Sequence, residues 1–172
     1  MGFKISWLAV RGVDPAAMLD RLGLIDTGVL DEVNESPFSV AALPGGWVIL
    51  WANDFEYADD RRALTLSVLG ETIAVQLHEG VMYAEARGYG QGERRWSIVY
   101  DPDVDDVSRT GTPPAQMAAI EAACRARQAA EDENVSHLFD VPLEVAASLC
   151  GFSHDAGLVE GGDLEFTEAR PR

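Results

Sequence analysis

The sequence predicts an α+β domain built on a mainly antiparallel sheet, with helices packed on one face of that sheet. Three features predict this class. Residues 47–52 are six consecutive apolar residues, a length typical of a buried strand. Residues 72–101 contain three runs of alternating apolar and polar residues, a pattern typical of antiparallel strands. Helix start and stop signals stand between the strand-like segments rather than inside them.

The apolar run 47–52 is predicted to be the central strand. Gly45 and Gly46 precede it and suit a tight turn, because glycine adopts positive φ without steric cost. In a strand, Trp47 and Trp51 share one face and Leu50 lies on the other, so both faces are apolar. We therefore expect an interior strand, paired antiparallel with residues 38–43 across the glycine turn.

The first part of the chain predicts a strand and then a helix. Residues 3–10 alternate at first and then become continuously apolar, as a strand that enters the core does. Asp14 is predicted to cap a helix with Pro15 in its first turn and Gly23 at its C-terminal end. Residues 25–37 are predicted to be a polar connection, and residues 58–69 a second helix capped by Gly70.

The alternating runs predict a three-stranded antiparallel meander. A two-residue loop at Glu79-Gly80 would place Leu77 opposite Met82 and put the apolar side chains on one face. Residues 94–101 form the third strand. The opposite face is polar, and it is our candidate binding surface, because aromatic and arginine side chains are enriched at interaction sites. Its residues are Gln76, Tyr83, Glu85, Arg87 and Arg95. The alternative, an ordinary solvated face or one covered by a helix of the same chain, is equally open.

The remaining chain predicts an acidic loop, two helices and a tail. Residues 101–106 form the loop, residues 112–131 a helix capped by Thr112, and residues 141–150 a helix capped by Asp140. Residues 153–172 are glycine-rich and polar with isolated apolar positions, which predicts a mobile tail. The predicted organisation is thus one domain over residues 1–152, followed by the tail 153–172.

The charge balance favours a basic protein partner. The chain has 13 basic and 29 acidic residues and a net charge of −16. A field of this sign repels phosphate, which disfavours non-specific binding to nucleic acid or to an anionic membrane. The acidic loop is predicted to attract the partner, through Asp101, Asp103, Asp105 and Asp106. The same loop lacks the glycine of a calcium-binding loop, and Thr112 stands at the twelfth position where glutamate is needed.

A second hypothesis is a small hydrolase or metal-dependent enzyme. Asp54 and Glu56 follow the central strand, and with His78 or His137 they would supply general acid and base chemistry. His78-Glu79 begins like a zinc-protease motif, but Met82 stands where the second histidine is required. No local motif predicts a metal, a cofactor or a catalytic constellation. The sequence therefore favours the hypothesis of a non-catalytic interaction protein over that of an enzyme.

The cellular compartment is predicted from three patterns that the sequence lacks. Cys124 and Cys150 form neither a CxxC motif nor a disulfide framework. The N-terminus has no signal-peptide pattern, and no apolar run is long enough to span a bilayer. We therefore expect a cytoplasmic protein.

Three segments carry a resemblance to known proteins. They are residues 2–7 (GFKISW), residues 46–55 with Trp47, Trp51 and Asn53-Asp54-Phe55, and residues 139–144 (FDVPLE). Together they resemble a small family of uncharacterised bacterial proteins over most of the chain up to about Asp155. This resemblance implies no activity. In size and acidity the chain is also similar to the class of bacterial toxin-immunity proteins, which implies an immunity-like or inhibitor-like interaction.

Overall fold

The predicted fold class is confirmed by a computed structural model, which describes residues 2–131 and 135–172. A large antiparallel sheet contains nine strands. In chain order they are β1 (Lys4–Arg11), β2 (Leu24–Leu30), β3 (Phe38–Ala42), β4 (Trp47–Ala52), β5 (Thr72–His78), β6 (Tyr83–Gly90), β7 (Glu93–Asp101), β8 (Asp106–Gly111) and, after the small pair β9 (Phe152–Ser153) and β10 (Gly157–Leu158), β11 (Thr167–Pro171). The spatial order in the large sheet is β2-β11-β3-β4-β1-β5-β6-β7-β8.

The centre of the sheet is where the sequence places it. β4 lies between β3 and β1, antiparallel to both, with Trp51 opposite Ser39 on one side and Trp7 on the other. No residue of β4 is more than 4% exposed. The apolar run 47–52 therefore forms an interior strand because both of its faces must be removed from water.

The four helices cover both faces of the sheet, so the expectation that they pack on one face is wrong. They are α1 (Pro15–Leu22), α2 (Asp60–Ser67), α3 (Met117–Ala130) and α4 (Asp140–Cys150). α1 and α2 pack with Leu8 and Leu50 on one face, whereas α3 and α4 pack with Trp7 and Ile49 on the other. The physical reason is the same two-sided apolar character of the central strands, which a single layer of helices cannot cover.

The predicted mobile tail is wrong for the end of the chain. β11 lies inside the sheet between β2 and β3, and Ala169 pairs with Phe38 and Asp26. Ala169 is 1% exposed, and Phe166 packs edge-on to Trp51 and Phe152. The domain therefore includes its C-terminal residues. The first part of the predicted connection 25–37 is instead part of strand β2, because β11 pairs with it.

The meander is confirmed with a different register and one more strand. Leu77 pairs with Ala84 instead of Met82, because residues 79–82 form the loop and Met82 takes a left-handed conformation. A shift of two residues leaves every side chain on its predicted face, since the side-chain period of a strand is two. β8 then adds a fourth strand after the acidic loop, pairing Val107 with Tyr100.

Both ends of α1 follow their sequence signals, whereas α3 begins at Met117 and not after the predicted cap Thr112. Asp14 accepts a hydrogen bond from the backbone N–H of Ala17, and Gly23 ends α1 in a left-handed conformation, as predicted. At α4 the cap position is Phe139, one residue before the predicted Asp140, which lies in the first turn. Within the described part of the chain, no helix is both long enough and apolar enough to cross a membrane.

Candidate functional site

Five of the residues singled out from the sequence line one surface groove. The groove has a volume of about 570 Å³ and lies where β5, β6 and β7 meet the acidic loop. Its walls include the predicted binding residues Gln76, Tyr83, Asp101 and Asp103, together with His78 from the enzyme hypothesis. Phe55, which the sequence analysis did not select, also lines it. We refer to this feature as the acidic groove.

Aromatic side chains form one wall of the acidic groove. The ring centroid of Phe55 lies 5.9 Å from His78 and 5.8 Å from Tyr83, both in edge arrangements. The carbonyl of Phe55 accepts a hydrogen bond of 2.8 Å from Nε2 of Gln76, which fixes the segment that supplies the ring. The Tyr83 hydroxyl donates to Oε2 of Glu85 at 2.8 Å. Burial and the Glu85 carboxylate raise the pKa of Tyr83, so the phenol stays neutral.

The acidic loop divides into two pairs of carboxylates with different roles. Asp101 and Asp103 face the acidic groove, and Oδ1 of Asp101 accepts the N–H of Asp103 at 2.9 Å. Asp105 instead accepts from the hydroxyls of Tyr100 and Ser136, each at 3.0 Å.

Asp106 belongs with Asp105 on the structural side of the loop. It forms an ion pair of 2.8 Å with Arg125 of α3, and the Arg125 guanidinium lowers the pKa of Asp106. Among the described residues, Asp106 forms an ion pair and Asp105 accepts from two hydroxyls, whereas Asp101 and Asp103 have neither kind of contact with another side chain.

Arg87 lies beneath the groove rather than on an open sheet face. Its side chain is 6% exposed, and Nη2 donates to Oε1 of Gln76 at 2.8 Å and to the carbonyl of Ala58. Nη1 donates to Asp60 at 3.1 Å. Residues 55–60, a turn that leads into α2, thus cover this part of the polar face, where the sequence had left open a covering helix. The predicted role of Arg87 as a solvent-facing binding residue is wrong, since nearly all of its guanidinium contacts are internal.

Asp60 connects this buried arginine to the N-terminus of α2. Its Oδ1 also accepts from the hydroxyl of Tyr89, and Arg94 lies 3.5 Å from its Oδ2. Burial acts to raise the pKa of Asp60, but the hydrogen bond from Tyr89 and the charges of Arg87 and Arg94 outweigh it and bring the pKa below its usual value.

Arg95 and Glu85 complete the predicted binding residues, and they lie apart. Glu85 lies 3.5 Å from Nε of Arg87 and belongs to the network under the groove. Arg95 forms an ion pair of 3.3 Å with Glu93 at the start of β7. Asp101 stands six residues further along the same strand, which is about 20 Å away at the rise of a β-strand. Arg95 therefore does not belong to the acidic groove.

The carboxylates of the enzyme hypothesis lie outside the groove that contains His78. Asp54 and Glu56 are both exposed, and neither lines it. The side chain of Asp54 accepts the N–H of Glu56 at 3.0 Å, and its carbonyl accepts from the Ser6 hydroxyl at 2.6 Å. These contacts are those of a turn that leaves a strand. These contacts give Asp54 a structural role in the turn that follows β4.

The three histidines occupy separate positions. His137 lies 2.7 Å from Glu131 and 3.6 Å from Asp140, whereas His154 lies 3.5 Å from Glu79. Nδ1 of His78 is buried without a hydrogen-bond partner among the described atoms, next to the backbone of Gly80. Across residues 2–131 and 135–172, no three histidine, cysteine or carboxylate side chains are grouped so that they would hold a metal ion.

Most of the positive charge is neutralised within the fold. Among residues 2–131 and 135–172, nine of the 13 basic residues form ion pairs with aspartate or glutamate. They are Arg11, Arg62, Arg87, Arg94, Arg95, Arg109, Arg125, Arg127 and Arg172. These contacts engage a minority of the 29 acidic residues, so the excess negative charge is left at the surface, including at Asp101 and Asp103.

Comparison of the chain with models of protein families, with curated proteins and with solved structures found no match. The candidate site therefore depends on its geometry and charge alone.

Proposed function

We propose that this chain is a non-catalytic interaction protein that binds a basic protein partner through its acidic surface, in the manner of an immunity or inhibitor protein. One observation supports this most strongly. The chain has 29 acidic and 13 basic residues, and nine of its arginines already pair with carboxylates among the described residues. This leaves an excess of carboxylates, Asp101 and Asp103 among them, without an ion-pair partner there. A surface of one sign attracts partners of the other sign and repels phosphate-rich nucleic acid and anionic lipid.

The acidic groove is the proposed contact point on that surface. It combines a concave shape with aromatic side chains and two carboxylates that have no ion-pair partner among the described residues. Binding sites that bury a few polar groups among aromatic walls gain both affinity and orientation. No cofactor or metal takes part in this function. We also propose a cytoplasmic location, because Cys124 and Cys150 are both buried free thiols that suit a reducing compartment.

Affinity capture tests this proposal. The immobilised chain is exposed to a native lysate at low and at high salt, and the recovered proteins are identified by mass spectrometry. We expect one or a few basic proteins to be enriched at low salt and lost at high salt, because salt screens exposed charges. The proposal is wrong if no protein is enriched at low salt, or if the enriched proteins are neutral or acidic and resist salt.

A further inference from the structure

We propose that the acidic groove is an anchor pocket for a single arginine side chain of the basic partner, with Asp101 and Asp103 contacting the guanidinium and the aromatic wall contacting its plane. This inference rests on the proposed function and makes it specific, since it names the group recognised and the place where it binds. The charge of the groove, the chemistry of its walls and its rigidity all favour an arginine side chain.

The charge of the acidic groove favours a cation. Asp101 and Asp103 both line the groove, and neither has an ion-pair partner among the described residues. Arg87 contacts the groove residue Gln76, but its guanidinium is also bonded to Asp60 and to the carbonyl of Ala58 and does not line the groove. The Tyr83 phenol is neutral and already donates to Glu85. The groove therefore complements a cation and disfavours a carboxylate or a phosphate.

The shape and chemistry of the groove walls favour an arginine side chain. A volume of about 570 Å³ falls within the range of small-ligand pockets and accepts one long side chain with its neighbouring backbone. Phe55 and Tyr83 supply aromatic surface beside the carboxylates. Guanidinium is planar, weakly hydrated and stacks on aromatic rings, whereas the ammonium of lysine is compact and strongly hydrated. An aromatic wall next to carboxylates thus favours arginine.

The rigidity of the acidic groove also favours such an anchor. Phe55 is held by the hydrogen bond from Gln76 to its carbonyl, and Gln76 is held in turn by Arg87. Asp101 ends β7 and accepts the N–H of Asp103, which fixes the tip of the hairpin. A site whose groups are already oriented loses less conformational entropy on binding, so a single anchor residue can contribute a large share of the affinity.

The test is a nuclear magnetic resonance titration of the ¹⁵N-labelled chain with three nonapeptides. They are identical except for the central residue, which is arginine, lysine or the uncharged arginine analogue citrulline. We expect the arginine peptide to shift the amide signals of Phe55, Tyr83, Asp101 and Asp103 and to bind at least about tenfold more tightly than the citrulline peptide, a ratio in the range of one buried charged contact. The lysine peptide should bind several-fold more weakly than the arginine peptide.

Two matched variants complete the test. Asp101→Asn/Asp103→Asn keeps the acceptor oxygens but removes the charges, and it should weaken the arginine peptide at least about tenfold. Glu160→Gln/Asp163→Asn removes two exposed charges elsewhere and should change binding less than twofold. Phe55→Leu should reduce the preference for arginine over lysine.

Three results would overturn the inference. They are the absence of peptide binding at millimolar concentration, shifts confined to other surfaces, and equal weakening by both double variants. In each of these cases the capture of a basic, salt-sensitive partner would still support the proposed function, so the two proposals fail separately.

Discussion

Replacing Arg87 by methionine is expected to lower the free energy of unfolding by about 2 kcal/mol or more, because its buried guanidinium donates hydrogen bonds to groups inside the protein. Methionine keeps most of the buried stem but removes the donors to Asp60, Gln76 and the Ala58 carbonyl. The Ala58 carbonyl and Oε1 of Gln76 would lose this donor inside the protein, which costs more than the lost contacts themselves contribute. Asp60 is affected less, because it keeps its contacts with Tyr89 and Arg94. Chemical denaturation followed by tryptophan fluorescence measures the change.

Arg95→Met is the matched control for this prediction. Arg95 lies on the neighbouring strand, its side chain is 47% exposed, and its ion pair with Glu93 is at the surface. Exposed ion pairs contribute between zero and about 1 kcal/mol, so the control should change stability little. Equal effects of the two substitutions would contradict the assignment of Arg87 to the interior.

The network also predicts the direction in which acid acts on it. The pKa of Asp60 lies below its usual value, so its stabilising contribution is present above the pKa of an unfolded aspartate, near 4, and is lost as the pH falls through the lowered pKa. The difference in stability between wild type and the Arg87→Met variant should therefore narrow below about pH 4.

Deleting residues 167–172 is expected to lower the melting temperature by more than about 10 °C, or to prevent folding. The deletion removes β11, which pairs with β2 on one side and β3 on the other. β2 would then have no neighbour, and the core contact of Ala169 would be lost. Loss of several ladder hydrogen bonds together with a buried contact exceeds the usual effect of a point substitution. Circular dichroism during heating measures the shift.

Two point variants keep the second prediction testable if the deletion does not fold. Ala169→Asp introduces an unpaired carboxylate at a position that is 1% exposed, and it should destabilise strongly. Arg170→Gln changes the next residue on the same strand, which is exposed, and should leave the melting temperature within about 2 °C. Unchanged melting in both the deletion and Ala169→Asp would restore the idea of a mobile tail.

The contrast between β4 and β11 shows what the sequence can and cannot predict. β4 has six apolar residues after a glycine turn, so local pattern alone predicts a buried strand. β11 has the sequence TEARP, in which only Ala169 is buried, and its pairing partners are more than 120 residues away in sequence. Its place in the sheet depends on those distant strands and leaves no local signal.

The candidate site shows the same limit. Alternation along β6 correctly places Tyr83, Glu85 and Arg87 on the polar face, but it does not show that residues 55–60 fold over part of that face. The sequence therefore predicts Tyr83, Asp101 and Asp103 as candidates and misses Phe55. A phenylalanine between two acidic residues was the available signal, because an apolar ring in an acidic turn needs a surface to pack on.

On our proposal, the excess negative charge of this protein guides a basic partner to it. The most direct measurement is the association rate constant of a captured basic partner, determined by stopped-flow mixing over a range of sodium chloride concentrations. It is compared for the wild type, Asp101→Asn/Asp103→Asn and Glu160→Gln/Asp163→Asn. We predict that the wild-type rate constant falls steeply with salt, that dissociation changes less, and that the first variant associates most slowly. An association rate constant that is independent of salt and equal in all three proteins would contradict the proposal that negative charge guides the partner.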